Sequence, residues 1–126
     1  MVAEQRGSAA RKLWRRFLAS EAELEAEDLR RHSKDVGCVP AGEASRGQMC
    51  AIAGRLRAVM YTPRMNLPIL EADLYDGSET VTLVWLGRRH IMGIEPGRHL
   101  TAKGRIALRD SKKIIYNPYY EFEAPE

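Results

Sequence analysis

Apolar positions along this chain follow two periods, and the change falls near residue 47. In SAARKLWRRFLA, from Ser8, Leu13 pairs with Phe17 and Trp14 with Leu18 at i,i+4, with Arg11, Lys12, Arg15 and Arg16 around the rest. That spacing predicts an amphipathic helix with a narrow apolar stripe. Ser20 followed by Glu23 has the form of a capping box, so a second helix is predicted from Glu21. Its acids fall in the first turns and Arg30 and Arg31 at its end, as the helix dipole favours. Gly37, Pro40, Gly42 and Gly47 then read as a linker. The predicted organisation is a helical segment 1–36, a linker 37–47, a β domain 48–122 and a tail 123–126.

From Gln48 onward the period is that of strands. Cys50, Ile52, Leu56, Ala58 and Met60 share one parity, and Arg55, Arg57 and Tyr61 the other. Gly54 interrupts this first strand and predicts a bulge or a sharp coil there. Ile69 to Tyr75 is a second strand, closed by the turn signal Asp76-Gly77. Thr80 to Leu86 is a third, rich in β-branched residues. After an irregular connection, Arg98 to Leu108 forms a fourth, with Gly104 in its middle. Asp110-Ser111 turns into a fifth strand from Lys112 to Tyr116, which Asn117-Pro118 breaks before Tyr120. Five short strands, glycines inside the first and fourth, and a long break after the third are the layout of an OB-fold. The predicted fold class is therefore an all-β core, a five-stranded OB barrel preceded by one or two N-terminal α-helices.

Charge sharpens this picture. The net charge is +3, and 15 of the 20 basic residues are Arg. Arg presents a planar fork that suits phosphates and stacks on rings. Residues 46–113 carry twelve bases and six acids, so the β domain is basic and its flanks are acidic. No stretch approaches the ~20 apolar residues of a membrane span, and the N-terminus has no apolar block of signal-peptide length. Cys38 and Cys50 are the only cysteines. We read both as reduced thiols of a cytoplasmic protein, neither a disulfide framework nor a zinc site. No Gly-rich phosphate loop, HExxH or GxSxG occurs, so no enzymatic activity and no cofactor are expected.

Several runs resemble known OB domains. Asp76-Gly77-Ser78-Glu79-Thr80-Val81-Thr82-Leu83-Val84-Trp85 is similar to the second-to-third strand pattern of single-strand-binding OB domains. Gly93-Ile94-Glu95-Pro96-Gly97-Arg98 and Lys103-Gly104-Arg105 resemble their turn into, and the middle of, the fourth strand. Ile115-Tyr116-Asn117-Pro118-Tyr119-Tyr120 is similar to the close of the OB wedge domain of RecG-type helicases. The stretch 46–122 as a whole resembles the small stand-alone OB-fold nucleic-acid-binding proteins of high-GC Gram-positive (actinobacterial-type) bacteria. The resemblance implies nucleic-acid binding. The helicase motor motifs are absent, so its ATPase activity is not implied.

Trp85 has two readings. It stacks on an unpaired base, as the resemblance implies, or it fills the core with Val81 and Leu83, whose parity it shares. Arg88 and Arg89 in the following connection suit phosphates. Arg55 and Arg57 share the outward parity of the first strand, Arg64 lies in the first loop, and Lys103 and Arg105 flank Gly104. Arg109, Lys112 and Lys113 bracket the turn between the fourth and fifth strands. Each is also an ordinary solvated charge, and their common sign is what points to a polyanion. Tyr116, Tyr119 and Tyr120 either present stacking rings or, the favoured reading, form a cluster closing the barrel. Asp73 and Asp76 lie close in sequence, but the Asp-Gly turn explains Asp76 without a metal. The leading expectation is a non-catalytic module for single-stranded or distorted DNA, or RNA, with little sequence preference. The alternative is a protein-interaction adaptor built on an OB barrel, using the N-terminal helices to hold a protein partner.

Overall fold

The structure is a computed structural model that describes the backbone of residues 2–124 and the side chains of residues 9–124. The last two positions of the expected tail, and the side chains of Glu4 and Arg6, lie outside the described residues. One helix, α1 (Val2–Asp35), leads into six strands: β1 (Met49–Thr62), β2 (Ile69–Tyr75), β3 (Thr80–Leu86), β4 (His99–Arg109), β5 (Lys112–Tyr116) and β6 (Tyr119–Phe122). β1 pairs with β2, β2 with β3, β3 with β5 in parallel, β5 with β4, and β4 back with β1. This closed circuit is the OB-fold barrel that the strand layout predicts. β6 continues β5 beyond Asn117-Pro118 and pairs with the first half of β4, so the two together serve as the fifth strand.

Closure depends on β1 serving two neighbours. Met49 to Arg55 pair with β4, and Arg55 to Thr62 pair with β2. A strand so bent brings its backbone against a neighbour at the crossing point. A Cβ at Gly54 would collide with the Tyr75 carbonyl oxygen, and one at Gly104 with the Ile115 side chain. Both mid-strand glycines are thus required by close approach. The bulge lies elsewhere: the β1–β2 register slips between Leu56 and Ala58, leaving Arg57 unpaired. Parity reverses there. Cys50, Ile52 and Leu56 are buried, but Ala58 and Met60, which share their sequence parity, face outward. The core is lined by Ile52, Leu56, Leu74, Val81, Leu83, Leu100, Ile106 and Ile115.

The N-terminal segment is a single helix, not two. Ser20 lies inside α1 and starts nothing. The neighbouring Ala19 and Ala22 are strong helix formers, and no Gly or Pro interrupts residues 9–35. Only the second half of α1 packs on the barrel, where Ala26, Leu29 and Ser33 are buried. Arg30 donates to the Gly77 carbonyl at 2.8 Å, Arg55 pairs with Glu25 at 3.0 Å, and His32 meets Glu123 at 2.7 Å. Residues 9–24 are exposed throughout. Between α1 and β1 the chain packs down, with a 3-10 turn at Ala41–Glu43 and with Ala41 and Ala44 buried. No helix among the described residues is long and apolar enough to cross a membrane.

Candidate nucleic-acid interface

Three segments converge at one end of the barrel. The Gly87 amide donates to the Pro68 carbonyl at 2.8 Å, which ties the β1–β2 loop to the end of β3. Asn117 adds the break between β5 and β6: its amide donates to the Val84 carbonyl at 2.6 Å, and its Oδ1 accepts from the Leu86 amide at 3.0 Å. Asn117 holds a left-handed φ of 48°, a conformation its short polar side chain tolerates. Arg64 lies in the first of these segments, and Arg88 and Arg89 follow the second; all three are exposed. Around them are exposed Met60, Tyr61, Met65, Leu67, Leu86 and Tyr116. Strand register sets Met60, Glu71, Val84 and Tyr116 side by side on the outer face of β1, β2, β3 and β5.

That outer face is not itself basic. Glu71 and Asp73 occupy its middle, and Asp73 accepts from the Thr82 hydroxyl at 2.9 Å. The local charge is thus negative at the middle of the face, with the arginines at its rim. The tyrosine cluster predicted to close the barrel divides instead. Tyr120 is half-buried against Trp85, while Tyr116 is 43% exposed on this face. Tyr61 is the residue that sequence reasoning passed over as a ligand contact, while for Tyr116 it favoured barrel closure over a stacking ring. The Asn117-Pro118 break was the available signal for Tyr116, because a strand that stops there leaves its last side chain at the barrel rim.

Three predicted site residues are taken up by the fold. Trp85 is a core residue, 5% exposed, with its ring edge-to-face on Tyr120 at 5.7 Å. It keeps the inward parity of Val81 and Leu83 because β3 runs without a bulge. A ring so enclosed has no free face for a base, which corrects the stacking expectation. Lys113 is also turned in: its Nζ donates to the Ala41 carbonyl at 2.6 Å and pairs with Glu79 at 3.0 Å, leaving the side chain 13% exposed. Arg55 lies under α1, paired with Glu25.

The other predicted residues are accessible but dispersed. Arg57, the bulge residue, lays its guanidinium over the Tyr75 ring at 3.6 Å. Lys103 and Arg105 are exposed on β4, in register with Tyr119 and Met49 respectively. Arg105 donates to the Gly47 carbonyl at 2.7 Å. Arg109 and Lys112 flank the β4–β5 turn at the end opposite Arg64 and Arg88, since β5 enters beside the start of β3. In that turn Asp110 and Ser111 both have positive φ, the form of a two-residue hairpin.

The remaining polar candidates are structural. Asp76 is buried and accepts from the Ala41, Ser78 and Glu79 amides and the Ser78 hydroxyl at 2.6–3.0 Å. Its lone pairs are spent on the turn, and no cluster among the described residues is suited to a metal. Cys38 and Cys50 are free thiols. Burial pushes both up from the ordinary thiol value; the carboxylates of Glu123 and Asp76 add to this at Cys38, and Lys113 opposes it at Cys50.

Fold and rim together define an OB-fold module with an N-terminal helical arm. Among solved structures, this chain is similar to RecG bound to a three-way DNA junction, with a TM-score of 0.59 and 19% identity. The match covers 68% of this chain and 12% of that one. At that identity the likeness is one of fold. No family model matches the chain, and no curated protein matches it.

Proposed function

We propose that this protein is a non-catalytic nucleic-acid-binding module that takes single-stranded or distorted DNA with little sequence preference. The observation that carries the reading is the convergence of Arg64, Arg88 and Arg89 beside exposed Tyr61 and Tyr116 at one end of the barrel. The arginines would hold the phosphate backbone, and the exposed side chains of Met60, Tyr61 and Tyr116 would lie against unpaired bases. A rigid duplex offers no base faces to such a surface. The carboxylates of Glu71 and Asp73 would keep the backbone at the rim. A neighbour in fold that binds a DNA junction favours nucleic acid as the ligand class.

The test is fluorescence anisotropy with a labelled ~20-nucleotide single strand at several salt concentrations. Affinity is expected to fall as salt rises. Replacing Arg64, Arg88 and Arg89 by Ala together is expected to lower the log–log salt slope by about 2, at about 0.7 per lost phosphate contact. Absence of binding at low salt, or a triple variant with an unchanged slope, refutes the reading. A parallel titration with RNA of the same sequence separates the two polymers.

A further inference from the structure

Two ways lead off the rim along the outer face of the sheet, and they differ in charge. Over β2 stand Glu71 and Asp73. The other way runs down the β4–β5 hairpin. There Ile106 and Ile115 are a registered pair turned into the core. Side chains alternate along a strand, so Arg105, Ala107 and Arg109 on β4, and Lys112, Ile114 and Tyr116 on β5, are turned outward. Register sets Arg109 beside Lys112 and Ala107 beside Ile114, and Arg105 and Tyr116 are the next positions along. Ile114 is buried yet stands outside the core cluster, so it forms the floor of this face between longer neighbours. The face begins at the rim with Tyr116 and ends at Lys112, four residues on, about 13 Å away at about 3.3 Å each.

The charge of this face is available to a ligand. From His99 to Tyr116 the only acid is Asp110, at the tip of the turn. Arg105, Arg109 and Lys112 are exposed and make no ion pair among the described residues, unlike Arg55 and Lys113. Arg105 gives one N–H to the Gly47 carbonyl and keeps the rest of its fork. Adjacent strands lie about 4.8 Å apart, so across the sheet the β2 carboxylates are about 10 Å from the β5 row and about 14 Å from the β4 row. The screening length at physiological salt is about 8 Å. For a phosphate in contact with the hairpin, attraction by its cations therefore outweighs repulsion from β2.

We propose that the strand held at the rim leaves past Tyr116 and runs along the outer face of the β4–β5 hairpin, with its phosphates on Arg105, Arg109 and Lys112. The inference rests on the nucleic-acid reading of the rim and gives that site its direction. The binding site is then one track, from the β1–β2 loop to the β4–β5 turn, and it leaves β2 uncovered.

Fluorescence anisotropy with a labelled ~10-nucleotide single strand at several salt concentrations tests this, a length within the range one OB barrel occupies. Arg105→Ala/Arg109→Ala/Lys112→Ala is expected to lower the log–log salt slope by about 2, at about 0.7 per lost phosphate contact. Arg109→Ala/Lys112→Ala, which keeps the Arg105–Gly47 hydrogen bond, is expected to lower it by about 1.4 on the same scale. The melting temperature of this second variant should not change, because both side chains are exposed. Glu71→Gln/Asp73→Asn is expected to change affinity by less than about threefold, since the strand passes beyond the screening length. Saturation is expected at one strand per chain. A slope lowered by Arg64→Ala/Arg88→Ala/Arg89→Ala but unchanged by both hairpin variants overturns the track and leaves the rim reading standing. A slope lowered by the hairpin variants and unchanged by the rim variant refutes the rim reading, and the track that starts from it. A gain of about tenfold from Glu71→Gln/Asp73→Asn carries the strand over β2 and overturns the track. Saturation at two strands per chain makes the hairpin a separate site and overturns it too.

Discussion

Trp85 offers the sharpest test of how this barrel is built, because its two possible roles predict opposite results. A Trp side chain at 5% exposure removes about 200 Å2 from water. At about 25 cal/mol/Å2 that is worth about 5 kcal/mol. The edge-to-face contact with Tyr120 adds about 1 kcal/mol. Trp85→Ala is therefore expected to cost about 3–5 kcal/mol, the range of large aromatic truncations. Small domains have only about 5–15 kcal/mol in total, so the Ala variant risks unfolding outright. Trp85→Phe carries the test. It keeps a ring against Tyr120 and removes an indole Nε1 that is buried with no hydrogen-bond partner among the described residues. An unpaired buried donor costs about 1–3 kcal/mol, which offsets the smaller area of the Phe ring. Urea denaturation followed by circular dichroism should place Trp85→Phe within about 1 kcal/mol of the parent. Its affinity for a labelled single strand should stay within about twofold, because the ring faces the core and base stacking contributes only where a ring face is free. A Trp85→Phe variant of unchanged stability that binds tenfold more weakly would refute the reasoning and return Trp85 to the interface.

Other outcomes follow from the same geometry. Tyr116→Ala should weaken single-strand binding by about 1–3 kcal/mol, the worth of one stacked base, while Tyr119→Ala, 82% exposed on β6, should not change it. Gly54→Ala should destabilise by about 1–3 kcal/mol or more, read as a lower urea midpoint, because the new methyl meets the Tyr75 backbone carbonyl. Asp76→Ala should cost about 2–4 kcal/mol in the same assay, since it strips the acceptor from the buried Ala41 amide and from the β2–β3 turn. Buried Cys50 should resist alkylation at neutral pH until the protein is unfolded, with a thiol held above its ordinary value by desolvation.

Most of the barrel was legible in the sequence because it is written in local terms. Alternation and β-branching delimit β2 and β3 to the residue, and Asp76-Gly77 and Asp110-Ser111 mark the turns that join their neighbours. Gly54 and Gly104 announce a strongly bent barrel because only glycine admits such close approach. The interface was less legible. Sequence parity put Ala58 and Met60 with the core, but pairing with β2 inserts Arg57 as an extra residue and turns both outward. A bulge belongs to two strands at once, so one strand's alternation cannot locate it. The capping-box signature at Ser20 failed for a related reason: it describes how a helix can start, and nothing nearby made this one stop.

The sequence by itself determined the class of protein: a basic five-stranded barrel carrying an amphipathic helical arm. It also determined the sign of every charge. Tertiary structure alone decided which charges are available. Arg55 goes to Glu25 across thirty residues, Lys113 to Ala41 and Glu79, and Trp85 to Tyr120, none of them near neighbours in the chain. Arg64 is also far in sequence from the adjacent Arg88 and Arg89, yet the Pro68–Gly87 hydrogen bond brings their segments together. Period and propensity act over a few residues, whereas the availability of a side chain depends on what the closed sheet and the packed helix lay against it.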